Sequence, residues 1–259
     1  MDKTNLESLA RQILPFLNTK YSEVPPTEEE FDKEVATLRL MFASYFPVSD
    51  DEFVIIKRRL RANVAVQGVQ GVLIKDRKQH IPWLSARREG LDFFFWNRYK
   101  RYLEDEKGWN PRVTGKLGIV SDEIVDYLGD PKSEEKFQRR GLVLGDVQSG
   151  KTANYTAICN KAADTGYRVI IILSGTLENL RQQTQERLDA EFIGQKSQYF
   201  LDPKQEIKFQ PVGVGTYGSE KRISTFTSVR TDFNKNTIAA NRLPLFDINT
   251  TAVFVIKKK

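Results

Sequence analysis

Eight consecutive residues, 145–152, constrain the fold of this 259-residue chain more than any other part of its sequence. They read Gly-Asp-Val-Gln-Ser-Gly-Lys-Thr and match the pattern G-x-x-x-x-G-K-[ST] at every defined position. A short apolar segment, Gly141 to Gly145, precedes the match and predicts a strand. A helix is predicted from about Gly150 to Thr165. This order of strand, loop and helix is the one in which such a loop binds phosphate.

The residue types in the loop suit a nucleoside triphosphate bound with Mg²⁺. Gly145 and Gly150 let the backbone curl, so that successive N–H groups converge on phosphate oxygens. The next helix directs its unpaired N–H groups and positive dipole end at the same anion. Lys151 is predicted to lie between the β- and γ-phosphates, and Thr152 to bind Mg²⁺ through its hydroxyl. A glycine-rich turn that only caps a helix is the alternative.

We therefore predict ATP and Mg²⁺ as cofactors, Lys151 and Thr152 as catalytic residues, and Thr152 as the metal ligand. The predicted nucleotide-binding residues are Gly145, Asp146, Val147, Gln148, Ser149, Gly150, Lys151 and Thr152.

Beyond the loop, apolar strands alternate with helices. Strands are predicted at 168–174, 207–213 and 251–256, and a helix at 176–190. The segment 168–174 is continuously apolar, as strands buried on both faces are. This alternation predicts right-handed crossovers and a parallel sheet. The region 219–243 is polar and predicts no clear element.

The first 130 residues are predicted to be mostly helical. Leucines and Ile13 recur at helical spacing from Leu6 to Leu17, and Thr27 before three glutamates is typical of a helix start. Further helices are predicted at about 50–63, 82–106 and 120–128.

The segment Gly129 to Ser133 predicts a boundary between a helical region, 1–130, and an α/β domain, 131–259. The predicted fold class is therefore α/β. It is a parallel-sheet, RecA-like P-loop NTPase domain, incomplete in this chain, preceded by a mostly helical N-terminal region.

The formal net charge of +6 is compatible with a polyanionic partner. The densest basic run is Lys57, Arg58, Arg59 and Arg61, which on a helix would cover most faces, so a solvated helix is the simpler interpretation. No apolar run approaches the roughly 20 residues that a membrane-spanning helix needs. The N-terminus lacks the layout of a signal peptide, so the cytoplasm is the predicted location and no membrane partner is expected.

One cysteine, Cys159, and one histidine, His80, limit other chemistry. They exclude an intrachain disulfide and a cysteine-based zinc site, and any Ser-His or Cys-His mechanism would have to use His80. His80 lies in a polar stretch that favours a surface loop. The aromatic residues between Trp83 and Tyr102 fit core packing better than base stacking.

The chain around the loop resembles the bacterial Z1-domain endonuclease family. The resemblance rests on R-R-G-L-V-L-G-D-V-Q-S-G-K-T-A-N-Y-T at 139–156 and K-A-A-D-T-G-Y-R-V-I-I-I-L-S-G at 161–175. The shorter segments Asn179 to Gln185, Phe192 to Gly194, Trp96 to Tyr99 and Gly108 to Pro111 also fit. It covers about residues 90–259, and its specific motifs surround the loop. Asp146 stands where relatives often have histidine.

The resemblance implies a superfamily 2 helicase-like ATPase that precedes a Z1 domain, encoded near restriction or phage-defence genes. ATP and Mg²⁺ would bind at the loop, the partner would be DNA, and defence-system proteins would be further partners. In superfamily 2 helicases the end of the second strand and the next helix start touch the nucleic-acid backbone. Ser174, Gly175 and Thr176 have the small side chains and N–H donors for this role. An ordinary turn with Thr176 as the helix N-cap is an equal alternative.

One expected motif is missing from this sequence. A helicase-like ATPase needs an apolar strand ending in Asp-Glu to hold Mg²⁺, and none follows Lys151. Asp122-Glu123 precedes the loop and is predicted to start an amphipathic helix. We therefore expect an N-terminal fragment, cut before the acidic motif, that binds nucleotide weakly and hydrolyses it poorly.

Two other functions stay open at this point. The chain could be a non-motor NTPase, a switch or adaptor whose nucleotide controls partner binding. Alternatively, it could be a nucleic-acid-binding or assembly module with a vestigial loop, in which residues 1–130 are the working part.

Overall fold

The computed structural model describes residues 3–22, 24, 26–64, 80–135, 137–144, 151–198, 210–234, 237 and 250–258. Its contacts divide the chain into two compact units. The first consists of Met1–Gln79, Leu103–Ile119 and Gly141–Ala153, and the second of His80–Tyr102, Val120–Arg140 and Asn154–Lys259. The sequence-based division after residue 130 stays a prediction.

Three long helices form the main core of the first unit. They are α1 (Lys3–Lys20), α2 (Glu28–Phe42) and α3 (Asp50–Val64). Each contributes an apolar stripe to one cluster, in which Leu9, Ile13, Phe31, Ile56 and Leu60 are buried. The predicted helical N-terminal region is confirmed, because the apolar residues recur at the spacing that places them on one face of each helix.

The predicted start of α2 is confirmed in atomic detail. The Thr27 hydroxyl accepts the N–H of Glu30 at 3.3 Å, and the Glu30 carboxylate accepts the N–H of Thr27 at 2.8 Å. This reciprocal pair satisfies two backbone donors that would otherwise have no partner at a helix start.

The predicted helix over 82–106 is interrupted. It consists of α4 (Leu84–Arg87), a 3-10 turn (Arg88–Gly90) and α5 (Phe94–Asp105). Helix α5 has its own start because the Asp164 carboxylate accepts the N–H groups of Phe95 and Trp96, both at 2.9 Å. The first N–H groups of a helix have no acceptor within the helix. Here a carboxylate far along the chain accepts them.

Helix α6 spans Pro111–Leu128 and is longer than the predicted 120–128. Asn110 explains the earlier start, since its side-chain oxygen accepts the N–H of Arg112 at 2.9 Å and Pro111 fits the first helical position. Asp122 and its neighbour therefore lie inside a helix and do not begin one. In the described part of the chain, no helix is long and apolar enough to cross a membrane.

The second unit contains a three-stranded parallel sheet. Its elements follow in the order α7 (Lys151–Thr165), β1 (Val169–Ser174), α8 (Glu178–Leu188), a π-helical turn (Asp189–Ile193), β2 (Ile223–Thr225) and β3 (Thr251–Lys257). The strand order is β1-β3-β2, with β3 parallel to both neighbours. The predicted parallel sheet and the predicted strands at 168–174 and 251–256 are confirmed.

The two faces of this sheet differ at β1. One face packs Ile170 and Ile172 with Val253 and Val255 against Phe192 and its neighbours. On the other face Val169, Ile171 and Leu173 are 44%, 58% and 67% exposed. The expectation that this strand is buried on both faces is wrong. Among the described strands β1 lies at the edge of the sheet, and its side chains are covered on one face only.

Two other predicted strands are not seen in the described residues. Residues 141–144 form no strand, and Leu142 and Leu144 are 81% and 84% exposed; Gly145 lies outside the described residues. Within 207–213, only Pro211 makes an isolated bridge, to Gln195, and 207–209 lie outside the described residues. Strand β2 instead falls in the polar region 219–243. An apolar run becomes a strand only where a neighbour pairs with it, and composition does not identify that neighbour.

Candidate functional site

Helix α7 begins at Lys151, the lysine of the G-x-x-x-x-G-K-[ST] pattern. Thr152 follows in the first turn and is half-buried, while Ala153 is buried. The predicted helix is confirmed over 151–165, and the first N–H groups of a helix have no acceptor within it. The predicted site residues outside the described residues are Gly145, Asp146, Val147, Gln148, Ser149, Gly150 and the side chain of Lys151.

The inner face of α7 is made of small and polar side chains. Thr156, Asn160, Lys161 and Thr165 are buried there. The Asn160 amide donates to the carbonyl of Thr156 at 2.9 Å and to that of Glu191 at 3.2 Å. The second bond joins α7 to the π-helical turn. Directional contacts therefore contribute much of what holds this helix in place.

Lys161 joins α7 to α6. It is 1% exposed, its Nζ lies 2.5 Å from Asp122 Oδ1, and it sits 4.4 Å from the ring centroid of Trp96. Arg88 donates to the other oxygen of Asp122 at 2.9 Å. Burial lowers the pKa of Lys161, and its bond to Asp122 opposes that shift. Asp122 is thus the counter-ion of a buried lysine.

Asp164, three residues later, joins α7 to α5. Its two oxygens accept the first N–H groups of α5, as described above. Burial raises the pKa of Asp164 to about 7, and the N–H bonds from Trp96 and Phe95 oppose this shift. Sequence reasoning missed both anchors. The available signal was a pair of opposite charges three residues apart in the Lys-Ala-Ala-Asp segment of an otherwise small-residue helix.

The carboxyl end of the sheet brings predicted and unpredicted residues together. In the parallel register Ser174 pairs with Lys257, and the N–H of Lys258 donates to the Ser174 carbonyl at 3.3 Å. Gly175 and Thr176 follow and are exposed, as is Lys258. The sequence analysis did not predict that Lys257 and Lys258 lie beside Ser174. Their proximity depends on the register between two strands that are 82 residues apart in the chain.

The three residues predicted to contact nucleic acid, Ser174, Gly175 and Thr176, differ in their exposure to solvent. The Ser174 hydroxyl donates to the carbonyl of Ile256 at 3.1 Å and the residue is buried, so its side chain is used within the sheet. Thr176 does not cap α8. The N-cap is Leu177, which makes no side-chain cap bond. The alternative of Thr176 as a cap is therefore wrong, and Thr176 stays exposed at the sheet edge.

A buried arginine fixes the start of α8 beside this edge. Arg181 is fully enclosed and donates to the carbonyls of Ser228 and Val229 at 2.8 and 2.9 Å. Its Nε also donates to Glu178 at 2.8 Å, and this bond is the main reason why the pKa of Glu178 is lowered. Lys257 lies 3.8 Å from the same carboxylate.

His80 is held by structural contacts. Its Nε2 lies 2.7 Å from Asp126, and its ring stacks on Tyr127 with centroids 3.7 Å apart. The other Asp126 oxygen accepts the N–H groups of Trp83 and Leu84, at 2.9 and 2.8 Å. The single thiol, Cys159, is buried, and burial raises its pKa to about 12. A thiol with so high a pKa does not suit nucleophilic chemistry.

No protein-family model matches the chain, and no curated protein or solved structure matches it significantly. The Z1-domain resemblance therefore stays a prediction from sequence motifs. The chemistry of the described residues and of the loop signature is the basis for the function proposed below.

The raised pKa of Asp164 predicts a pH dependence of stability. A carboxyl whose folded pKa exceeds its ordinary value of 3.8 contributes fully below 3.8 and loses that contribution as the pH rises to about 7. From pH about 4 to about 8, the unfolding free energy of the wild type should fall by about 4 kcal/mol relative to Asp164→Asn. Urea unfolding of both proteins across this range measures the difference.

The amide introduced by Asp164→Asn would keep one acceptor for the α5 N–H groups, so any constant offset between the two proteins is expected and uninformative. Other titrating groups are shared and cancel in the comparison. If the difference in unfolding free energy between the wild type and Asp164→Asn does not change with pH, the pKa of Asp164 is not raised by burial.

Proposed function

We propose that this chain is the ATP-binding part of a helicase-like enzyme that acts on DNA. The observation that carries the proposal is that a helix, α7, follows the loop signature, with Lys151 as its first described residue. A helix in this place directs its first N–H groups toward the loop, as phosphate binding requires. The parallel pairing of β1 with β3 supports a RecA-like arrangement for residues 131–259.

In this proposal the backbone N–H groups of residues 145–150 bind the phosphates of ATP. The Lys151 ammonium neutralises the β- and γ-phosphates, and the Thr152 hydroxyl holds Mg²⁺. The bound Mg²⁺ supplies charge neutralisation to the phosphate oxygens. Asp146, Val147, Gln148 and Ser149 contribute backbone donors to the loop.

The anchors of α7 serve this role. Phosphate binding by N–H groups is effective only when the donors are held in place before the ligand arrives. Lys161 and Asp164 fix the helix laterally through α6 and α5, at 2.5 and 2.9 Å. Because they act by holding α7 against α5 and α6, they are positioning residues.

The carboxyl edge of the sheet supports a contact with DNA. Gly175 and Thr176 are exposed there, and Lys257 and Lys258 add positive charge beside them. Ligands of open parallel sheets bind at the carboxyl ends of the strands. Phosphate contacts from lysines and backbone N–H groups set affinity without reading sequence.

The resemblance to Z1-domain endonucleases extends the proposal to the whole enzyme. ATP hydrolysis would then drive movement on DNA or its remodelling, in a cytoplasmic restriction or phage-defence system with partner proteins. A nuclease step would belong to a Z1 domain. DNA-stimulated ATP hydrolysis by an enzyme containing this chain separates the motor from an NTPase switch, which would show no stimulation.

Lys151→Ala should weaken ATP binding by about tenfold or more, because it removes a charged contact to phosphate. Lys132→Ala, at an exposed lysine of the second unit, is the matched control and should bind as the wild type does. Calorimetric titration of each protein with Mg-ATP measures the affinities. Equal affinities for Lys151→Ala and the control would defeat the nucleotide assignment.

Lys258→Ala should reduce DNA affinity and its salt dependence. Loss of one phosphate contact lowers the slope of log affinity against log salt by about 0.7 for single-stranded DNA. Fluorescence anisotropy with a labelled oligonucleotide at several salt concentrations measures this slope, with Lys132→Ala again as the control. If both variants keep the wild-type slope, the sheet edge is not the DNA contact.

A further inference from the structure

The structure sorts the basic run of α3 into two groups. The run consists of Lys57, Arg58, Arg59 and Arg61. Lys57 lies 2.8 Å from Asp32 of α2, and Arg61 lies 2.5 Å from Glu28 and 3.3 Å from Asp32. Arg58 and Arg59 are exposed, and neither forms an ion pair with any residue in the described ranges. The sequence had suggested one uniform, solvated basic helix.

The two arginines belong to an outward side of α3 that also carries apolar and acidic residues. At 3.6 residues per turn, this side consists of Asp51, Val54, Ile55, Arg58 and Arg59, hereafter the outer face of α3. Val54 and Ile55 are 46% and 39% exposed, whereas Ile56 and Leu60 on the opposite side are buried. The outer face is therefore acidic at one end, apolar in the middle and basic at the other end.

The acidic end also lacks an ionic partner. Three acids stand in the first turn of α3. Asp50 pairs with Arg39 at 2.7 Å, and Glu52 exchanges bonds with Ser49 at 3.0 and 3.3 Å. Asp51 makes no ion pair within the part of the chain that the structure describes. Among the described residues, Asp51, Arg58 and Arg59 are thus left without an ion pair.

This arrangement is complementary to itself. Asp51 and Arg59 each lie four residues from Ile55, about 6 Å along the helix axis in opposite directions. When two such helices cross antiparallel at Ile55, Asp51 of each copy faces Arg59 of the other, and the apolar residues meet in the middle. A twofold axis makes each such contact occur twice.

We propose that the outer face of α3 binds a second copy of this chain in an antiparallel, twofold-symmetric contact centred on Ile55. A polyanion fits this face less well, because it would meet Asp51 and leave Val54 and Ile55 without an apolar partner. A second copy satisfies the acid, the arginines and the apolar centre together. The proposal is independent of nucleotide and DNA binding.

Sedimentation equilibrium of the full chain tests the proposal through charge reversal. The wild type should be dimeric. Asp51→Arg and Arg59→Asp should each weaken dimerisation by about tenfold or more, because each places like charges opposite one another twice. Lys33→Asp, a similar charge change at an exposed site on α2, should leave the dimer intact.

Mixing the two weakened variants gives the decisive result. A chain with Asp51→Arg presents two positive ends and a chain with Arg59→Asp presents two negative ends, so the 1:1 mixture should form a heterodimer of near wild-type affinity. Ile55→Gln, which leaves every charge in place, should also weaken the dimer. This variant keeps the test valid if circular dichroism shows that Asp51→Arg loses helix.

Three outcomes would overturn the proposal. A wild-type chain that stays monomeric at about 100 µM has no such contact of useful strength. A dimer that persists in Arg59→Asp and in Ile55→Gln uses another surface. A mixture that stays monomeric shows that Asp51 and Arg59 do not face one another. If the wild type then binds a polyanion and the double variant Arg58→Ala, Arg59→Ala does not, the outer face of α3 binds a polyanion and not a second copy.

Discussion

Helix α7 owes its position to two charged side chains that water reaches poorly. Lys161 places its ammonium against Asp122 and the Trp96 ring, and Asp164 accepts the first N–H groups of α5. An unpaired charge in such surroundings is costly, so each group is stable only while its partner is in place. These two contacts therefore restrict the positions that α7 can take against α5 and α6 within the second unit.

The burial of Asp164 disfavours its charged form and so raises its pKa. The pKa of Asp164 is raised to about 7 although its carboxylate accepts two N–H bonds, so burial outweighs hydrogen bonding. The two N–H bonds only partly offset the cost of burying the carboxylate. They also begin α5 and join it to α7.

The parallel pairing of β1 with β3 has a comparable effect at the sheet edge. It places Ser174 beside Lys257, and Arg181 secures the start of α8 through carbonyls after β2. The result is an exposed turn, Gly175 and Thr176, next to two lysines. The positive charge and the exposed turn come from segments far apart in the chain, and only the register joins them.

Sequence alone predicted the features that depend on neighbours in the chain. The Thr27 cap, helix α7, and strands β1 and β3 are local in this sense, since capping chemistry and the pattern of residue types along the chain define them. The break before α5 was not predictable, because its cause is a carboxylate that lies 69 residues away. Strand β2 and the place of Lys258 depend on which strand pairs with which, and the exposed face of β1 depends on which distant segments pack on the sheet.

In the proposed function, the N–H groups at the start of α7 and in the loop before it bind a triphosphate. Hydrogen–deuterium exchange of the full chain, with and without saturating Mg-ATP, measures those groups directly. We expect slowed exchange across residues 145–152, with smaller changes elsewhere in α7. Unchanged exchange in this segment while nucleotide is bound would contradict this proposal.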